Sequence, residues 1–160
     1  RKVEELAIVI DTSESCSGEY VRRFLEETFS ILMNKDNFFR KMNVHIIQCD
    51  ARAQQDDVIT CEDDMKRYME NFKLIGFGGT DFRPAFEYVN ELCRKKVFRH
   101  LKGLLYFTDG YGTYPARRPD YDVAFVFLEE SYNDRHVPPW AIKLILGPED
   151  IQMGGLDHEY

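Results

Sequence analysis

The feature that most constrains this chain is the run Leu6-Ala7-Ile8-Val9-Ile10, which stops abruptly at Asp11-Thr12-Ser13-Glu14-Ser15. Five successive apolar residues without alternation describe a strand covered on both faces, the habit of a central strand in a parallel sheet. In an open α/β sheet, ligands bind just beyond the carboxyl ends of such strands. The carboxylate and hydroxyls that follow the run therefore stand where a site is expected. They are oxygen donors, and their natural guest is a hard cation.

The remaining segments supply the layers around that strand. Val21, Phe24, Leu25, Phe29 and Leu32 lie on one face of a helix predicted over Ser17 to Met33, with Ser15 or Ser17 able to cap it and Glu19 in its first turn. Capping alone would be a sufficient role for those serines. Val44 to Asp50 reads as a second strand and Asp57 to Cys61 as a third. The polar link between them is too short for a crossover helix, so an antiparallel hairpin with the third strand at the sheet edge is expected. His45 reads as structural or surface-facing, and Asp50 as a carboxylate at the same edge as Asp11, supporting the site from outside it. Cys49 and Cys61 would face each other if the hairpin register allowed; the cysteine spacing fits unlinked buried thiols better.

A short helix is predicted over Asp63 to Phe72, with Met65, Tyr68, Met69 and Phe72 at core spacings. Gly76-Phe77-Gly78-Gly79-Thr80-Asp81 then permits positive φ and close backbone approach, but it lacks the lysine and spacing of a nucleotide-binding P-loop. A helix follows over Phe82 to Val97, with Pro84 in its first turn. Arg94, Lys95, Lys96, Arg99, His100 and Lys102 crowd its far end, where cations complement a helix C-terminus. Gly103 to Gly110, Asp122 to Leu128 and Ala141 to Leu146 read as strands four to six. Ser131 to Trp140 is read as a loop with room for one helical turn, too short for a full crossover helix, and Gly147 to Tyr160 shows little periodicity.

This order implies a doubly wound, mostly parallel six-stranded sheet with one antiparallel edge strand and helices on both faces. On that plan Asp11, Ser13 and Ser15 after the first strand, Thr80 on the glycine loop and Asp109 after the fourth strand converge at one edge. All five offer oxygen, which selects Mg²⁺, Mn²⁺ or Ca²⁺ over zinc or copper. With hydroxyls as direct ligands and the aspartates acting partly through water, such an ion is under-neutralised and would attract a carboxylate from a partner.

These residues resemble the metal-ion-dependent adhesion site of von Willebrand factor type A (VWA) domains. The family's pattern of Asp-x-Ser-x-Ser, a distant Thr and a distant Asp matches Asp11-Thr12-Ser13-Glu14-Ser15, Thr80 and Asp109. Gly78-Gly79-Thr80-Asp81 and Phe107-Thr108-Asp109-Gly110 also look like the family. The resemblance runs from the first strand to Leu146. It implies a VWA-like domain over residues 1–147, with a tail over 148–160 expected to be loose, and a cation at the top of the sheet that docks an acidic residue of a protein ligand. The short length, Cys49-Asp50-Ala51 and Pro139-Trp140-Ala141-Ile142 look most like a prokaryotic subgroup found C-terminal to a predicted metallopeptidase-like region and associated with MoxR-type AAA+ ATPases. The chain begins at Arg1 rather than Met, and the expectation is a piece of a longer cytoplasmic protein. The longer final crossover and terminal helix common in the family are not evident.

Other classes fit less well. A net charge of -7 argues against nucleic acid, whose phosphates call for clustered cations. No apolar run reaches the roughly 18 residues of a membrane span, and no signal peptide is visible. A phosphatase of the haloacid-dehalogenase type would need a second aspartate where Ser13 stands, and Lys73 is only a loose match to its lysine. No His-Glu-x-x-His motif is present. The alternatives left open are that phosphatase and a metal-free scaffold; the leading expectation is a binding module that is not an enzyme.

Overall fold

Strands and helices follow one another as β1 (Val3–Asp11), α1 (Gly18–Met33), β2 (Lys41–Cys49), β3 (Ala53–Ile59), α2 (Glu62–Glu70), α3 (Arg83–Arg94), β4 (Gly103–Phe107), β5 (Asp122–Leu128) and β6 (Ile142–Leu146). They are taken from a computed structural model that describes residues 3–12, 18–33, 41–76, 78–79, 81–129 and 132–147. The six strands form one sheet in the order β3-β2-β1-β4-β5-β6. Every neighbouring pair is parallel except β2 and β3, so β3 is the antiparallel edge strand.

The position of β1 in the sheet interior explains its unbroken apolar run. Ala7 and Val9 face the layer that holds Phe82, Phe86 and Val89 of the α3 region, while Ile8 and Ile10 face Val21, Leu25 and Phe29 of α1 and Met65 of α2. With helices on both faces, Ala7 to Ile10 are fully buried and only Leu6 at the start of the run is partly exposed, so alternation has no physical basis.

β3 departs from its predicted span. It begins at Ala53 rather than Asp57, and only Asp50, Ala51 and Arg52 join it to β2. An edge strand has one side open to water, so the exposed Gln54 and Gln55 sit comfortably in it and also discourage pairing with a foreign strand. The register places Cys49 opposite Ala53, not Cys61. Cys61 lies beyond the hairpin at the start of α2, and both cysteines are free thiols. Burial, helped by the nearby Asp50, Asp11 and Asp56 carboxylates, pushes the Cys49 thiol up to about 12. His45 is structural: its Nδ1 lies 2.9 Å from Asp56 Oδ1 and its ring packs edge-on against Phe98.

α3 ends at Arg94, short of the predicted Val97, because Lys96 turns into the left-handed region at φ 64°. The Val97 N–H donates to Leu92 O at 2.9 Å and the Lys96 N–H to Cys93 O at 3.1 Å, a paired closure that favours glycine at the turning residue. A side chain there costs about 1 kcal/mol, so Lys96→Gly is expected to stabilise the domain by up to that amount. The thermal midpoint should rise by roughly 2–4 °C; an unchanged or lower midpoint contradicts the assignment. Of the neighbouring cations, Arg94 and Lys95 pair with Glu91, and Lys102 pairs with Glu4.

Among the described residues, neither crossover after β4 contains a helix. Aromatic side chains do the covering instead: Tyr114 packs on Phe82 and Phe125, Tyr132 stacks on Phe127 at 5.4 Å, and Trp140 meets Phe86 edge-on. The segment read as a loop before β6 is two successive turns, with the Val137 N–H donating to Asp134 O and the Ala141 N–H to Pro138 O.

Candidate metal centre

From β1 the chain proceeds to β2 and β3 on one side of the sheet, then returns to β4, β5 and β6 on the other. The order thus reverses between β1 and β4, and such a switch point is where open α/β sheets hold ligands. Asp11 is the last residue of β1. Ile10 pairs with Phe107, the last residue of β4, so the neighbouring strands carry Asp11 and Asp109 to the same place.

A hydroxyl links the two strand ends. Asp11 is 1% exposed, and its Oδ2 accepts a hydrogen bond from Thr108 Oγ1 at 2.6 Å. Thr108 Oγ1 in turn accepts the Gly110 N–H at 3.1 Å. Asp109 is 9% exposed; its Oδ1 accepts the Tyr111 N–H at 3.1 Å, and its carbonyl accepts the Asn133 N–H at 2.8 Å. Gly110 has φ 87°, and a Cβ there would lie 1.9 Å from the Asn133 carbonyl oxygen. Thr12 ends the described part of the first loop. Its N–H donates to Cys49 O, while its buried Oγ1 has no hydrogen-bond partner among the described residues.

The glycine loop reaches this edge under the control of β2. Gln48 Nε2 donates to Lys73 O, and Gln48 Oε1 accepts the Ile75 N–H, both at 2.9 Å. Asp50 Oδ2 accepts the Gly78 N–H at 3.0 Å, while Oδ1 accepts Gln54 Nε2 and the Arg52 N–H at 2.9 and 3.2 Å. Burial by itself would raise the Asp50 pKa, but these hydrogen bonds outweigh it and hold the carboxyl below the usual range. Beyond the glycines, Arg83 clasps Asp81 through Nε and a terminal nitrogen, each at 2.9 Å.

Ser13, Ser15 and Thr80 lie outside the described residues, as does Ser17, so of the five expected ligands the structure brings together Asp11 and Asp109. Among the described residues, no group of three or more His, Cys, Asp and Glu is placed to hold a metal. The expected set contains only two carboxylates and relies on hydroxyls for the rest. Both described members are hard oxygen donors at one switch point, which fits Mg²⁺, Mn²⁺ or Ca²⁺. Sequence reasoning missed Thr108 and Gln48. The signal for Gln48 was present: a polar residue inside an apolar strand must find buried partners.

The strand order, the single antiparallel edge and the paired aspartates at the switch point define a Rossmann-like domain of VWA type. Residues 6–146 match the family described as VWA-like domain (DUF2201), and the chain belongs to that family. Among solved structures it is similar to the SpRpn10 VWA domain, at 12% identity and TM-score 0.60, over 99% of this chain and 96% of that one. It is also similar to the ArnB paralog VWA2 from Sulfolobus acidocaldarius, at 14% identity and TM-score 0.63, over 96% of this chain and 43% of that one. Proximal thread matrix protein 1 from the mussel byssus gives 13% identity and TM-score 0.62 over 98% of this chain. The chain spans 44% of that mussel protein's length. Identities this low speak to the fold alone. No curated protein matches the sequence. VWA-like domains are generally protein-interaction modules rather than enzymes. No helix among the described residues is long and apolar enough to cross a membrane.

Proposed function

We propose that this domain is a divalent-cation-dependent protein-docking module. Asp11, Ser13, Ser15, Thr80 and Asp109 hold Mg²⁺, or Mn²⁺ or Ca²⁺ in its place, and a carboxylate from a partner protein completes the coordination. The observation that carries the reading is the delivery of Asp11 and Asp109 to one switch point, with the Thr108 hydroxyl bonded to Asp11 and to the turn after Asp109. When bound, the ion would supply a Lewis-acidic centre at which a partner carboxylate could take the place of a water. The chain's own residues orient rather than react: Thr108 holds one Asp11 oxygen, and the Tyr111 N–H holds one Asp109 oxygen.

A phosphatase reading is weaker. Ser13 stands where its second aspartate would be, and Lys73 lines a cavity of about 290 Å³ between β3 and α2 whose lining does not include Asp11. Family resemblance extends the proposal to a parent protein with a metallopeptidase-like region, working in the bacterial cytoplasm with a MoxR-type AAA+ ATPase. In that protein residues 1–147 form the docking domain. The ATPase is the first partner to test.

Calorimetric titration with Mn²⁺ and with Mg²⁺ is expected to reveal one site per chain. Partner capture should be lost in excess EDTA and restored by Mg²⁺. Failure to bind either ion, or capture that persists in EDTA, overturns the reading.

A further inference from the structure

We infer that Asp50 and Gln48 are positioning residues for the metal centre, holding the glycine loop in the path that delivers Thr80, an inference that rests on the docking function proposed above. Neither residue is in the expected ligand set. Both are buried, Gln48 fully and Asp50 to 7% exposure. A buried amide and a buried carboxylate must find partners, and here they take main-chain groups of the loop: the Lys73 carbonyl, the Ile75 N–H and the Gly78 N–H. Gln48 near the end of β2 and Asp50 just beyond it are two residues apart, and together they grip the loop at both ends of its approach.

The glycines owe their place to this grip. A Cβ at Gly78 would come within 2.7 Å of Asp50 Oδ2, and one at Gly76 within 3.0 Å of the same oxygen and 2.7 Å of Thr12 Oγ1. The loop therefore wraps the Asp50 carboxylate too closely for a side chain at either position. Gly79 is different: among the described residues a Cβ there would meet nothing within 4 Å, so the close approach to Asp50 ends at Gly78. The loop is anchored again at Asp81, through Arg83. In the sequence Gly79 and Thr80 fall between these two anchored positions, and the first anchor is set by Asp50. Neither carboxylate oxygen of Asp50 is idle, since Oδ1 is engaged by Arg52 and Gln54.

Asp50→Asn tests this. An asparagine has a single acceptor oxygen, so either the Gly78 contact or the Arg52 and Gln54 contacts meet an amine. Mn²⁺ affinity is expected to fall about 10- to 100-fold, the usual effect of losing a supporting partner of a metal ligand. In metal-free protein, the Gly78 amide should exchange with solvent faster than in wild type. Val89→Ala, in the α3 core, provides a destabilised comparison that should keep wild-type affinity. If Asp50→Asn does not fold, Gly78→Ala displaces the loop from an intact carboxylate and should lose the same affinity. Wild-type Mn²⁺ affinity and wild-type Gly78 exchange in a folded variant overturn the positioning role and leave the docking function standing. A wild-type protein that binds no Mn²⁺ overturns both, and is told apart by the titration of wild type alone.

Discussion

Gly110→Ala is expected to destabilise the domain by roughly 3 kcal/mol, lowering the thermal midpoint by about 6–12 °C, and to abolish metal binding. Two costs combine. The residue sits at φ 87°, where an L side chain is strained, and its Cβ would lie 1.9 Å from the Asn133 carbonyl oxygen and 3.1 Å from the Phe127 ring. Neither obstacle is the flexible end of a side chain. The Asn133 backbone cannot retreat freely, because its N–H is bonded to the Asp109 carbonyl. Relief must come from the turn itself, which moves Asp109 and breaks the Gly110 N–H bond to Thr108. A differential scanning measurement with a midpoint within about 2 °C of wild type, less than the shift 1 kcal/mol would give, would show that the turn relaxes at little cost.

Asp11→Ala and Asp109→Ala should both reduce Mn²⁺ affinity by more than about 100-fold, beyond the loss expected for a supporting residue. Their effects on stability should differ. Asp11 is buried and accepts the Thr108 hydroxyl, so its removal strands a buried donor at a cost of about 1–3 kcal/mol. The Asp109 side chain accepts one backbone N–H at the rim, and its loss should cost about 1 kcal/mol. Paired calorimetric and chemical-unfolding titrations separate the two quantities. Tight Mn²⁺ binding by either variant would sink the site assignment.

Legibility in the sequence followed burial. β1 and β5 could be read because strands covered on both faces leave unbroken apolar runs, and α1 because one buried face leaves a helical period. β3 was misplaced because an edge strand meets water on one side, and Gln54 and Gln55 carry no apolar imprint. The end of α3 was misplaced because nothing about a lysine announces a left-handed turn at Lys96. Within the site, Asp11 and Asp109 stood out as acids terminating buried strands. Ser13, Ser15 and Thr80 were expected from their oxygen chemistry and from the family resemblance, and they lie outside the described residues.

The sequence by itself determined the layers, the hairpin edge and the arrival of two aspartates at one edge, since periodicity and chain order record which residues avoid water. Only the tertiary structure decided how those aspartates are held. Thr108 bonds Asp11 across 97 residues, and Gln48 and Asp50 reach the glycine loop across 25 to 28. Hydrogen bonds of that span depend on strand register and loop path, which no local pattern encodes, and they set where the oxygens of the Leu6–Ile10 strand's terminus point.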